Sequence, residues 1–276
     1  MRERPLRRTV LNVVGVLVCL IWVFPVYWMV NTAFLSADQV RSATPTFVPF
    51  GGDLSAFGRV FDESFVASMR LSLIVTGLTV LVALVFAFLA ALAVSRFRFR
   101  GRKAMVLTVL IVQMIPAEGL FISQYRMLEG WSLLNSIAGL SLLYVAMVLP
   151  FTVWMLRGFV DGIPVDLEHA AMIDGCGRTK AFFVVTFPLL APGLVASGVY
   201  AFLQAWNEFT LATVVMAPGN RTVPLWLRGL TTQSNAAIDW PGVMAGALLV
   251  ALPVIVFFII VQNKMTSGLV AGAVKG

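Results

Sequence analysis

Six long apolar runs constrain this chain more than any motif in it. They lie at about residues 10–30, 71–94, 104–122, 136–154, 188–216 and 241–261, and each is long enough, as a helix, to cross a hydrocarbon layer of ~30 Å. The expected fold is an all-α polytopic membrane protein with six transmembrane helices. One membrane domain over residues 10–263 then lies between a short start, 1–9, and a tail, 264–276. Composition agrees: of 276 residues 59% are hydrophobic and 12% charged, and a mean hydropathy of +0.92 describes no soluble domain. The first run is read as a retained helix, because it exceeds the ~7 to 15 residues of a signal-peptide core and no small-x-small cleavage site follows. Pro150 is expected to kink the fourth run.

The net charge of +7 matters by its placement. Basic residues flank apolar runs and form no continuous stripe, which argues against nucleic acid as a partner. Arg96, Arg98, Arg100, Arg102 and Lys103, interleaved with Phe97 and Phe99, directly follow the second run and read as a topology anchor. Six crossings put both termini on one side. That side also receives Arg2, Arg4, Arg7, Arg8, the 96–103 cluster, Arg157, Arg178, Lys180, Lys264 and Lys275, against Arg41, Arg59, Arg70, Arg126, Arg221 and Arg228 opposite. The bias predicts cytoplasmic termini and a cytoplasmic polar interval at 159–187. Cys19 falls in an apolar run and Cys176 in that interval, so no disulfide is expected. No metal site is expected either, since the single histidine, His169, has no cysteine or second histidine beside it.

The 159–187 interval is the one long polar stretch on its side. Pro164 suits the first turn of a helix, and Asp166 and Glu168 suit the positive end of its dipole. A short helix is predicted to about Ile173, closed by Asp174-Gly175, with a second helix starting near Thr179 after Gly177. The product is a helix-turn-helix elbow. Ala170 and Ala171 leave the first arm nearly bare, open to close approach by another backbone or groove, and Met172 and Phe182 offer apolar anchors beside it.

These residues resemble the EAA loop of importer-type ABC transporter permeases: Glu-Ala-Ala, three residues, Gly, nine residues, an aliphatic, any residue, Leu-Pro. The pattern falls on His169, Ala170, Ala171, Gly175, Val185, Phe187 and Pro188 with its spacing intact. His169 stands where the family has glutamate, and Glu168 carries a carboxylate one position earlier. Trp206-Asn207-Glu208-Phe209 is similar to a signature of carbohydrate-importer permeases, and residues 267–276 look like the tail of the smaller maltose-type permease subunit. The resemblance implies an ATP-driven importer for a carbohydrate, in a bacterial cell membrane. It also implies a homologous second permease, two ATPase subunits that hold ATP and Mg, and an extracytoplasmic sugar-binding protein. In that family Glu168, His169, Ala170, Ala171, Met172, Asp174 and Gly175 would form the ATPase-coupling surface, with Lys275 and Gly276 of the tail touching the ATPases.

The chain has no G-x-x-x-x-G-K-[ST] to cradle phosphates of its own; GCGRTK at Gly175–Lys180 is too short. No catalytic constellation is found, so a transport subunit is expected, and not an enzyme. On the fifth run Tyr200, Gln204, Asn207 and Glu208 recur at helical spacing and make one face polar. Such groups are costly against lipid, and they either line a translocation path or glue helices together. The competing class is an ion-gradient-driven secondary transporter or channel, which needs no ATPase and predicts inverted repeats with paired intramembrane charges. No clear repeat is present, and few acidic residues lie within the runs.

Overall fold

Apolar runs that meet lipid must satisfy their own amides, and a helix does so within one segment. In the computed structural model, which describes residues 5–49, 52–232 and 237–273, every regular element is helical. The chain opens with α1 (Pro5–Ala33), the short α2 (Ala37–Arg41) and α3 (Ser55–Val60), and the long α4 (Glu63–Arg96). Then come α5 (Arg102–Gln113), a 3-10 turn over Ala117–Leu120, α6 (Phe121–Gly130) and α7 (Ile137–Asp161). The polar interval supplies α8 (Asp166–Ile173), α9 (Arg178–Ala181) and a π-helical turn (Phe182–Thr186) that runs into α10 (Phe187–Asn207). The short α11 (Thr210–Val215) and α12 (Val223–Thr231) precede α13 (Trp240–Ala273).

Among the described residues five stretches are long and apolar enough to cross a membrane: Thr9–Ala33, Glu63–Arg96, Ile137–Asp161, Arg178–Asn207 and Trp240–Lys264. The third apolar run departs from the single helix expected over 104–122. It forms α5, whose 12 residues span only ~18 Å at 1.5 Å per residue, then a bend and the 3-10 turn. Pro116 explains the break: it has no N–H to donate and pushes Ile115 out of helical conformation. The fifth run also ends earlier than expected, at Asn207, because Glu208 turns to extended backbone with ψ 126°.

The chain divides into two compact units. One comprises the residues up to Val66 together with Trp226–Leu252; the other runs from Ala67 to Leu225 and resumes at Pro253. In the first unit α1 is exposed along nearly all its length, and only its last turn, at Asn31, Thr32 and Ala33, is buried. Asn31 Nδ2 donates to the Thr46 carbonyl at 2.7 Å and Tyr27 Oη to that of Phe47, fastening the end of α1 to the loop after α2. Arg59 grips Asp239 through Nε and Nη2 at 3.1 and 3.3 Å, and Trp226 meets the Phe65 ring at a tilt of 59° while donating to Ser64.

In the second unit α7 and α10 form the central pair. Lipid gives apolar side chains little reason to leave it, so close packing must hold such helices together. Ala83, Ala87 and Ala91, fully buried and four residues apart, make one face of α4 nearly flat. Against it lie Val148, Val153, Leu156 and Val160 of α7 and Leu190 and Ala201 of α10. At Gly193 a Cβ would come within 2.5 Å of Phe159 Cγ, so the α7–α10 approach needs a bare α-carbon there.

Candidate functional site

Local chemistry shapes the elbow. Pro164 opens it: the Leu167 N–H donates to the Pro164 carbonyl at 3.3 Å and the Glu168 N–H to that of Val165 at 3.0 Å. At the far end of α8, Gly175 adopts φ +90°. Its N–H donates to the Met172 carbonyl at 3.1 Å, and the Cys176 N–H to that of Ala171 at 3.0 Å. This pair of bonds is a Schellman closure, and glycine alone takes that φ without strain. The second arm starts at Arg178, within a residue of the expected place. It then widens to a π turn, where the Phe187 N–H reaches back to the Phe182 carbonyl. Pro188 is the cause, since it cannot donate to the carbonyl four residues before it.

Glu168 ties the elbow to the helices. Its Oε1 accepts from Thr186 Oγ1 at 2.7 Å and lies 3.4 Å from Arg96 Nε, with the two ionic side chains only 13% and 14% exposed. Arg96 Nη2 also donates to the Ile163 carbonyl at 3.0 Å. A single guanidinium at the end of α4 thus holds both the entry to the elbow and the first turn of α8, and Thr186 adds the exit. Phe88 of α4 meets the rings of Phe182 and Phe187 at 6.1 and 6.0 Å, and the Arg178 guanidinium lies 5.9 Å from the Phe97 ring centre.

What faces outward is a stripe. Asp166, His169, Ala170 and Ile173 are exposed at helical spacing, followed by exposed Asp174 and Gly175, while Ala171 and Met172 are half-buried. Ile173 is 87% exposed, twice as open as the other large apolar side chains of this arm, Val165 and Leu167. His169 Nδ1 lies 4.0 Å from Asp166 Oδ1, both side chains open to solvent.

The polar face of α10 separates into two parts. Gln204 and Asn207 are exposed, and Asn207 Nδ2 donates back to the Leu203 carbonyl at 2.8 Å. Tyr200 is half-buried with its ring 4.4 Å from that of Phe151. Glu208 instead ends the helix: its two oxygens accept the Leu211 and Ala212 N–H groups at 2.7 and 3.1 Å and so cap α11. Tyr144 Oη donates to the Glu208 carbonyl at 3.4 Å. Lys275 and Gly276 lie outside the described residues.

Residues 6–264 match the profile of the family described as the inner membrane component of binding-protein-dependent transport systems. The chain belongs to this family. It is a transport permease, not an enzyme, and a multi-pass membrane protein. Among its relatives is the diacetylchitobiose uptake system permease protein DasC of Streptomyces coelicolor, 40% identical over 267 residues that make up 96% of each chain. The trehalose/maltose transport system permease protein MalG of Thermococcus litoralis is 33% identical over the whole of both chains. In fold, the permease is similar to a chain in the crystal structure of a bacterial ABC transporter involved in the import of the acidic polysaccharide alginate. The TM-score is 0.79 at 22% identity, over 95% of this chain and 98% of that one.

Sequence reasoning about this permease passed over three residues that the structure brings forward. Ile173 carried a legible signal, four residues beyond His169 and seven beyond Asp166 on one helical face. Arg96 reads along the sequence as a topology anchor, and its pairing with Glu168, 72 positions away, has no local signature. Thr186 lies inside the spacing of the loop pattern, where any residue is allowed.

Proposed function

We propose that this chain is the transmembrane subunit of an ATP-driven ABC importer, translocating a carbohydrate delivered by an extracytoplasmic binding protein. Family membership supports the dependence on a binding protein, and relatives named for diacetylchitobiose and for trehalose and maltose support a sugar as cargo. ATP and Mg reside on two separate ATPase subunits, and a homologous second permease completes the path as a heterodimer. The chain lies in a bacterial inner membrane and crosses it six times, with the termini and the elbow in the cytoplasm.

The single observation that carries the reading is the braced elbow. Asp166, His169, Ala170, Ile173, Asp174 and Gly175 form the surface that enters an ATPase groove, with Ala171 and Met172 behind it. Glu168 works from inside. A push on α8 reaches α4 through Arg96 and α10 through Thr186, so nucleotide-driven closure of the ATPases becomes a tilt of the spans. Tyr200, Gln204 and Asn207 line the translocation path, since two of these polar groups are exposed on a membrane helix. Glu208 shapes its edge by capping α11. Lys275 and Gly276 add a tail contact with the ATPases.

The test is to purify the chain with whatever subunits accompany it, and to measure sugar uptake in cells carrying Gly175→Val. ATPase subunits should copurify, and the variant should lose at least ~90% of uptake while the chain still reaches the membrane. Normal uptake by the variant, with no ATPase recovered, overturns the reading.

A further inference from the structure

We infer that the groove where α5 meets α7 binds the headgroup of an anionic phospholipid at the root of the elbow. A cleft of about 420 Å³ is lined by the apolar Val106 and Leu107 and by the cationic Arg102, Lys103 and Arg157. An adjoining hollow of about 380 Å³ shares Arg102 and Lys103 and adds Arg98, Phe99 and Gly101. The cleft lies where the apolar span of α7 finishes at Asp161, six residues beyond the end of the α4 span at Arg96. That is the level of lipid headgroups.

Charge complementarity identifies the occupant. Arg102 and Lys103 open α5, whose N-cap, Gly101, offers no side chain to the first amides; the Arg102 N–H donates to the Phe99 carbonyl, and the next N–H groups and the helix dipole add to the positive field. Among the described residues no carboxylate pairs with Arg102 or Lys103. Arg157 arrives from α7 with its Nε 3.2 Å from Asp161 Oδ2. Asp161 offsets one of the three charges, and the guanidinium fork carries further donors for a phosphate. A soluble anion would use the cations alone, whereas the same cleft continues along half-buried Val106 and Leu107, 57% exposed, which in a membrane face acyl chains. A phospholipid satisfies both, its phosphate among Arg102, Lys103 and Arg157 and an acyl chain along Val106 and Leu107. A zwitterionic headgroup brings its own cation into the same space, so net negative lipid is preferred. The bound lipid steadies the end of α7 from which the elbow springs, whatever solute the permease carries.

The experiment uses the permease, with its accompanying subunits, stripped of lipid in detergent. It is titrated with phosphatidylglycerol, phosphatidylcholine and glycerol phosphate, and bound molecules are counted by native mass spectrometry. Phosphatidylglycerol should bind on the order of tenfold more tightly than phosphatidylcholine, and glycerol phosphate only weakly. Arg102→Gln with Lys103→Gln should abolish the preference, while Arg126→Gln, which removes an exposed cation outside the groove, should keep it. Leu107→Glu, which places a repelling carboxylate in the groove, should also abolish it and serves if the double variant fails to assemble. Equal retention of the two lipids, or an undiminished preference in both groove variants, overturns the proposal. Glycerol phosphate binding as tight as phosphatidylglycerol also overturns it, by assigning the cations to a soluble phosphate.

Discussion

At Glu168 one carboxylate oxygen serves a hydroxyl and a guanidinium together, and losing its charge strands Arg96 in a nearly dry place. Glu168→Gln is therefore expected to cost about 1–3 kcal/mol and to lower the uptake obtained per ATP hydrolysed. Thermal unfolding and the transport-to-hydrolysis ratio check it, and a double-mutant cycle with Arg96→Gln should show the two changes to be non-additive. Ile173→Asp is the contrasting case. It alters an exposed tip, so stability should stay within about 0.5 kcal/mol while ATPase recovery falls severalfold; unchanged recovery would argue against Ile173 as an anchor. Asp62 has a plainer task at the start of α4. Its carboxylate accepts the Phe65 N–H and the Ser64 hydroxyl, each at 2.8 Å, and the Phe65 bond above all holds its pKa below the ordinary 3.8. A lowered folded pKa means that the stabilisation is complete above the ordinary value and is lost as pH falls through the folded one. Asp62→Ala should cost about 1 kcal/mol at neutral pH, and the gap to wild type should close below pH 3.8. A gap that persists in acid would point to packing in place of capping.

Among the elements, the α7–α10 pair depends on small residues more than on large ones. Gly193→Ala drives a methyl into Phe159, where the affected atoms are Cβ and Cγ near the backbone and not the tip of a flexible chain. Overpacking of that kind costs about 1–3 kcal/mol, and adding Phe159→Ala should return part of the loss. Melting temperatures of the single and double variants decide this; additive losses would mean the two sites do not touch. The elbow obeys a different rule, because space at Gly175 is open and its backbone angle alone forbids a side chain. The π turn before Pro188 is a third device. It inserts one extra residue between elbow and span, which rotates α10 relative to α9 and presents Thr186 to Glu168.

For the whole molecule the central expectation is sidedness. With Cys19 changed to serine, Cys176 is the remaining thiol, half-buried in the turn of the elbow. A membrane-impermeant maleimide should label it in inside-out vesicles and leave it unmodified in intact cells or spheroplasts. Labelling from the outer face would remove the elbow from any ATPase and with it the proposed coupling.

Much of this protein could be read along one dimension. Apolar length called for membrane helices, and Asp174-Gly175 and Gly177 set the turn of the elbow to within about a residue, because glycine acts on the backbone where it stands; Pro164 falls two residues before α8 and not in its first turn. The 104–122 run was harder, since hydropathy sums side chains and is blind to the break that Pro116 makes in a helix. The polar face of α10 was legible as a face, yet whether Glu208 addresses a path or a helix end depended on where Leu211 and Ala212 turn their amides. Amino-acid order by itself thus determined which segments meet lipid and which local turns join them, through transfer energy and backbone freedom. Which way Glu168 points, and that it meets Arg96 and Thr186, only tertiary structure decided, because a pairing between residues 72 positions apart arises when packed helices bring their ends together.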